Sequence, residues 1–344
     1  MIQKSGELMK RKNLIKTILL LNLFVLGVIF CTACMSTETT VPSEDFTDFA
    51  KETTSNSTPS QTEHTYDQPT TSSRGSRDND SVVLIPVASG ISVHSSDVVS
   101  IDTSNTSEGY IMADYTGDNS KVKLQITGPN SVTYTYNLNH SSYEVFPLTA
   151  GNGIYHISVY ENISGTNYST ALSIDISVTI TNLFGPYLYP NQYVNFNSSS
   201  LAVKKAEELA YYANKDLDVV EQVYNYIIEH FSYDYDKAKN VVSGYLPVVD
   251  EVYNSNTGIC FDYAAVMATM LRSQNIPTRL EVGYMGEEYH AWISTYIEDI
   301  GWINGIIEFD GNDWILMDPT FASTSRSPKD FITENSNYLT KYVY

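Results

Sequence analysis

The stretch Gly258-Ile259-Cys260-Phe261-Asp262-Tyr263, continuing as AAVMATMLRSQNIPTRLEVGY to Tyr284, decides the fold of the C-terminal part of this chain. From Cys260 to about Gln274 the run is rich in Ala, Met and Leu and predicts a helix. Asn275, with Pro277 two residues on, supplies its stop, and TRLEVGY then predicts a strand. Upstream, Ser198 to Ser200 offer caps before LAVKKAEELAYYANK, and Asp216 or Asp218 offers one before a second helix. In that second helix Val219, Val220, Val223, Ile227, Ile228 and Phe231 recur at three- and four-residue steps and make one apolar face. Downstream, HAWISTY (290–296) and DWILMD (313–318) read as further strands. Helices come first and strands after, so residues 196–344 are expected to form an α+β domain and not an alternating α/β one.

Towards the N-terminus the period changes to two. Val122, Leu124 and Ile126 alternate with polar residues, as do Val132, Tyr134, Tyr136 and Leu138, and Leu172 through Ile180. Turn signals separate them: TGDN at 116–119, TGPN at 127–130, AGNG at 150–153 and SGTN at 164–167. Seven or so short strands at this spacing predict an antiparallel β-sandwich over residues 81–195. Its histidines, His94, His140 and His156, form no catalytic set, and His156 reads as a surface or pairing residue. A spacer or binding module is the reading for this domain. Residues 35–80 hold 19 Ser or Thr among 46 positions and almost no aliphatic side chains, which predicts a flexible tether.

Residues 1–34 read as an export signal. Lys4, Lys10, Arg11, Lys12 and Lys16 precede the apolar run Thr17–Cys34. Its end, Cys31-Thr32-Ala33-Cys34, resembles the bacterial lipobox, with Cys31 where Leu is usual; the resemblance implies lipidation at Cys34. An uncleaved membrane anchor is the alternative. Either reading puts the rest of the chain on the outer face of the cytoplasmic membrane, because the basic end stays inside. From Cys34 onward 15 basic residues face 39 acidic ones, a net of −24, which repels phosphate backbones and excludes nucleic acid as a partner. Three cysteines make neither a zinc ribbon nor a disulfide framework, and no metal or cofactor is expected.

The chemistry-bearing residues lie in the α+β part. Cys260 is the one cysteine beyond the signal region and opens a helix, where unpaired N–H groups and the helix dipole favour a thiolate. Gly258 lets the backbone turn and lets a substrate approach. His290 starts one strand and Asp318, before Pro319, ends another; antiparallel pairing of those two strands would make them neighbours. Docking the start of the Cys260 helix there would complete Cys–His–Asp. His230, beside Phe231 on the second helix, reads as structural, Trp292 as a core or pocket-wall aromatic, and Asp262 as a carboxylate serving the first helical turn.

GICFDYAAVMATMLRSQNIPTRLEVGY, HAWISTY and WILMDPT, in that order, resemble the transglutaminase-like superfamily of papain-like thiol enzymes over roughly residues 201–325. Asn275-Ile276-Pro277 takes the place of the usual Gly-Ile-Pro. The resemblance implies a papain-like, transglutaminase-core fold with Cys260 as nucleophile, His290 as base and Asp318 as orienting acid. It also implies acyl transfer or hydrolysis on peptide or carboxamide bonds. The Cys260 N–H is the expected oxyanion donor, with Tyr233 and Asn256 as candidates for a second. The longer stretch between Tyr296 and Trp314 implies an inserted loop or hairpin. The expected partners are a peptide or protein substrate and, through the lipid anchor, the membrane. A non-catalytic adhesion protein that keeps the fold for recognition is the rival reading.

Overall fold

Side chains that alternate between core and solvent build the first half of the molecule. In the computed structural model, which describes residues 39–40, 73–140, 142–285, 288–298, 300–304, 307–309, 314–316 and 338–344, β5 (Val122–Thr127) buries Val122, Leu124 and Ile126 and leaves the residues between them half-exposed. The export segment, Cys34 and Asp318 lie outside the described residues. One antiparallel sheet has the order β2-β3-β4-β7, from Val93–Ser95, Val99–Asp102, Tyr110–Tyr115 and Glu144–Pro147. A second has the order β9-β8-β5-β6, with β6 at Thr133–Asn137, β8 at Gly153–Ser164 and β9 at Asn167–Val178. Ile101, Ile111, Leu124, Phe146, Ile157 and Val159 are fully buried in this β half, each worth about 1.5–3 kcal/mol of removal from water. The expected sandwich of antiparallel strands is what forms. In a small unit by itself, β1 (Thr39–Thr40) pairs antiparallel with Tyr168 and Asn167.

The second half is α+β. Helices α1 (Leu201–Ala210), α2 (Asp216–His230), α3 (Tyr235–Asn240) and α4 (Val249–Ser255) precede α5 (Cys260–Ser273). All fourteen residues of α5 are buried, as expected for a helix that is apolar nearly all round. It ends as its sequence predicts: Asn275 is left-handed (φ 57°), its N–H bonds the Arg272 carbonyl, and the Ile276 N–H reaches back to Leu271. The cap of α1 differs from the sequence reading, and that of α2 bears out one of its two candidates. The Ser200 hydroxyl accepts the Asn197 N–H, while Asp250 of α4 takes the Leu201 N–H at the start of α1. Asp218 accepts the Asn214 N–H at 2.8 Å, but Asp216 pairs with Arg77.

Helix α5 packs on β12 (Thr278–Met285) and β13 (Glu288–Ile297), the middle of a four-stranded antiparallel sheet ordered β14-β13-β12-β17. Strand β14 spans Gly301–Asn304 and β17 Tyr338–Val343. The expectation that 290–296 pairs with 313–318 is corrected here. The neighbour of β13 is β14, across a short turn, and β16 (Trp314–Leu316) pairs with β15 (Ile307–Phe309) in a separate two-stranded sheet. Segments adjacent in sequence pair first because little loop entropy opposes them. The inserted stretch is therefore strand-forming.

The end of the Ser/Thr-rich stretch is also corrected. From Arg74 the chain lies along the helices and is not free tether. Gly75 N–H bonds the Tyr211 carbonyl, Arg77 bonds Asp216 at 2.7 Å and both oxygens of Gln274, and Val82 N–H bonds the Ser273 carbonyl. Tyrosines link the sandwich to α5. Tyr344 is buried, stacks on Tyr193 (ring centroids 4.0 Å apart) and meets Tyr134 and Tyr136 edge-on, while Tyr193 also touches Phe261.

Candidate active site

Cys260 occupies the first position of α5 as a free, buried thiol. Its helix is capped by Ile259, which has no side-chain oxygen to offer the orphan N–H groups of the first turn. The positive end of the helix dipole therefore lies at the turn that carries Cys260, an end that suits an oxyanion.

Two short elements hold this turn from outside. Strand β11 (Thr257–Gly258) leads into Cys260 and pairs in parallel with β10 (Ser232–Tyr233), so that Tyr233 stands beside Gly258. Asn256, the other candidate second donor, is the left-handed cap of α4, and its carbonyl accepts the Ser232 N–H. Gly258 is required for space within the fold. A Cβ there would lie 2.6 Å from the Asp262 Cβ, so the close approach is to Asp262.

Asp262 is fully buried. Its carboxylate accepts the Ile259 N–H at 2.9 Å, the ammonium of Lys237 on α3 at 2.7 Å and the Tyr245 hydroxyl at 2.5 Å. Lys237 also bonds the Tyr245 hydroxyl at 2.6 Å. Burial, followed by the Asp262 charge, pushes the Tyr245 pKa upward, so Tyr245 stays a proton donor. Sequence reasoning assigned Asp262 to the first helical turn, which the Ile259 bond bears out, and missed Lys237 and Tyr245. No periodic signal marks either of them.

His290 is buried near the start of β13, directly opposite Gly283 on β12. Trp292 is likewise buried, opposite Glu281, and shares the strand face of His290. α5 and β13 are in contact, so the elements bearing Cys260 and His290 are packed on each other. His230 is exposed at the last turn of α2, where its Nδ1 meets the Tyr226 carbonyl and its ring stacks on Tyr226. Among the described residues no cluster of three or more His, Cys, Asp or Glu side chains is placed to hold a metal, and no helix is long and apolar enough to cross a membrane.

Residues 204–319 match the family model of the transglutaminase-like superfamily. The chain carries a transglutaminase-like domain. Among solved structures it is similar to the periplasmic domain of TgpA from Pseudomonas aeruginosa, at 14% identity and TM-score 0.31, over 71% of this chain and 79% of that one. It is also similar to red sea bream transglutaminase, at 14% identity and TM-score 0.24, over 63% of this chain and 48% of that one. No curated protein matches the sequence.

The transglutaminase-like domain is joined to a sandwich with a second polar constellation. His156 on β8 places Nδ1 2.7 Å from Asp175 and Nε2 3.0 Å from Ser158, with Ser173 beside it. β8 has hydrogen-bonded neighbours on both sides, so its amides are spent in ladders and cannot serve a developing oxyanion. His156 is the surface pairing residue that its place in the sequence predicts.

Proposed function

We propose that this protein is a surface-tethered thiol enzyme of transglutaminase-like type. In this reading the Cys260 thiolate attacks a carboxamide or peptide carbonyl, and the C–N bond breaks as His290 passes a proton to the departing amine. The acyl group remains on sulfur as a thioester. An amine resolves it by cross-linking, or water resolves it by hydrolysis, and the thiol is regenerated. Asp318 fixes the imidazole tautomer and supports its charged form. The Cys260 N–H donates to the oxyanion. Lipidation at Cys34 holds the enzyme on the outer face of the membrane.

The observation that carries this reading is a free cysteine at the first position of a buried helix, within the residues that match the transglutaminase-like family model. The superfamily consists generally of cysteine-dependent enzymes. The test is incubation with a library of glutamine-containing peptides, with and without added amine, read by mass spectrometry for wild type and Cys260→Ser. Wild-type modification that is lost in Cys260→Ser supports the reading. A folded wild type inert on all substrates, whose thiol has ordinary reactivity toward a small electrophile at pH 6, favours the adhesion protein. Labelling with radioactive fatty acid that disappears in Cys34→Ala supports the anchor, and absence of label from wild type removes it.

A further inference from the structure

Asp262 lies two residues after Cys260, and an isolated buried carboxylate there would oppose a thiolate. The fold places an ammonium on it. Lys237 Nζ sits 2.7 Å from Asp262 Oδ2, and the Lys237 side chain is 28% exposed while that of Asp262 is 0% exposed. Lys237 is carried by α3, whose cap Asp234 accepts the Lys237 N–H at 2.8 Å. Tyr245, in the loop after α3, donates to the other carboxylate oxygen, and Lys237 lies against the Tyr245 ring at 4.5 Å. All of these partners come from outside α5. The pairing is more than helix capping, which the Ile259 bond already provides.

We propose that Lys237, Asp262 and Tyr245 form a charge-balanced brace that sets the ionisation of Cys260. They are positioning residues: Asp262 fixes the turn through the Ile259 N–H, and Lys237 cancels the charge that this costs. The inference rests on Cys260 being the nucleophile. Near this end of α5 the Asp234 N–H bonds the Gly258 carbonyl while the Asp234 carboxylate caps α3, and Asp250 of α4 accepts the Leu201 N–H. α4 brings Glu251, whose charge acts on Tyr245, β10 brings Tyr233, β11 brings no charge, and β13 brings His290. On α1, Glu207 bonds Ser81 and Lys205 pairs with Glu208. On α2, Asp216 pairs with Arg77, and on β12 Glu281 accepts from Thr340.

The test is the pH dependence of Cys260 alkylation by iodoacetamide in the full chain, followed on the Cys260 peptide by mass spectrometry, beside the pH profile of kcat/KM. Lys237→Met leaves Asp262 uncompensated and is expected to move the alkylation midpoint up by about one pH unit, the usual size for one nearby charge. Asp262→Asn leaves Lys237 uncompensated and should move it down. The double variant should return close to wild type. A purely structural role gives no reason for opposite signs, so shifts in one direction, or none in folded variants, overturn the proposal. If Lys237→Met does not fold, Tyr245→Phe serves in its place: loss of one donor to Asp262 should move the midpoint up by a smaller amount, and an unchanged midpoint overturns the proposal. Failure of the nucleophile reading is separately visible, because Cys260→Ala would then keep its activity while the alkylation midpoints still report on the brace.

Discussion

Gly283 on β12 stands directly opposite His290 on β13, and a methyl group on Gly283 would lie 2.1 Å from the Leu339 carbonyl oxygen of β17. The contact is to backbone, so no side-chain rotation relieves it. Gly283→Ala is expected to force β17 away from β12 and to destabilise the protein by about 2 kcal/mol. The check is thermal unfolding together with kcat/KM. An unchanged Tm would mean that β17 does not pack this closely on β12.

The two histidines of the α+β half should behave in opposite ways. His290 is buried on the strand against which α5 packs, whereas His230 is exposed and bonded within its own helix. His290→Ala should reduce kcat/KM by at least about 100-fold, because proton transfer both to and from the reacting groups is lost. Combining it with Cys260→Ala should add almost nothing. His230→Ala should stay within about a few-fold of wild type. A dead His230→Ala beside an active His290→Ala would reassign the base.

Arg272 ties the halves together. It is wholly buried, and its guanidinium donates to the carbonyls of Thr278, Tyr189 and Tyr344 at 2.8–2.9 Å. Burial lowers its pKa to about 9, and at neutral pH it keeps its proton. Arg272→Met is expected to cost about 3–5 kcal/mol, since three buried carbonyls lose their donors at once. For the same reason a fragment beginning at residue 196 should be poorly folded. It lacks Tyr189, and it also lacks Tyr134, Tyr136 and Tyr193, against which Tyr344 packs. Circular dichroism and Tm of the fragment check this; a fragment as stable as the full chain would show that the halves fold independently.

Asp102 should make the sandwich acid-sensitive. Burial works to raise its pKa, but hydrogen bonds from Ser104 and the Gly90 amide overcome this and hold it below the usual 3.8. A carboxylate with a lowered folded pKa adds stability above the unfolded value and loses it as pH falls through the folded one. Asp102→Asn should cost about 1–3 kcal/mol at pH 7. Denaturation from pH 7 to pH 2 should show the variant and wild type converging below the usual carboxylate range. A gap that persists at pH 2 would point to packing instead of charge.

Much of the architecture was written locally. The period-two alternation of Val122, Leu124 and Ile126 places a strand because side chains on a pleated backbone alternate sides. The Asn275 turn, the apolar run from Cys260 and the position of that thiol at a helix start all follow from short-range sterics and hydrogen bonding. Such patterns say what each segment becomes, but they do not say which segments meet. Pairing of β13 with β14 in place of β16 joins segments adjacent along the chain, whose short connection costs less entropy to close. Residues 74–80 have the composition of a tether, yet Arg77 found Asp216 and Gln274 far along the chain. Asp262 was legible as a helix-turn carboxylate, but not as a charge cancelled by Lys237 and held by Tyr245, which lie 25 and 17 residues away. An ion pair of that kind leaves no periodic trace, because only the path of the folded chain brings its partners within bonding distance.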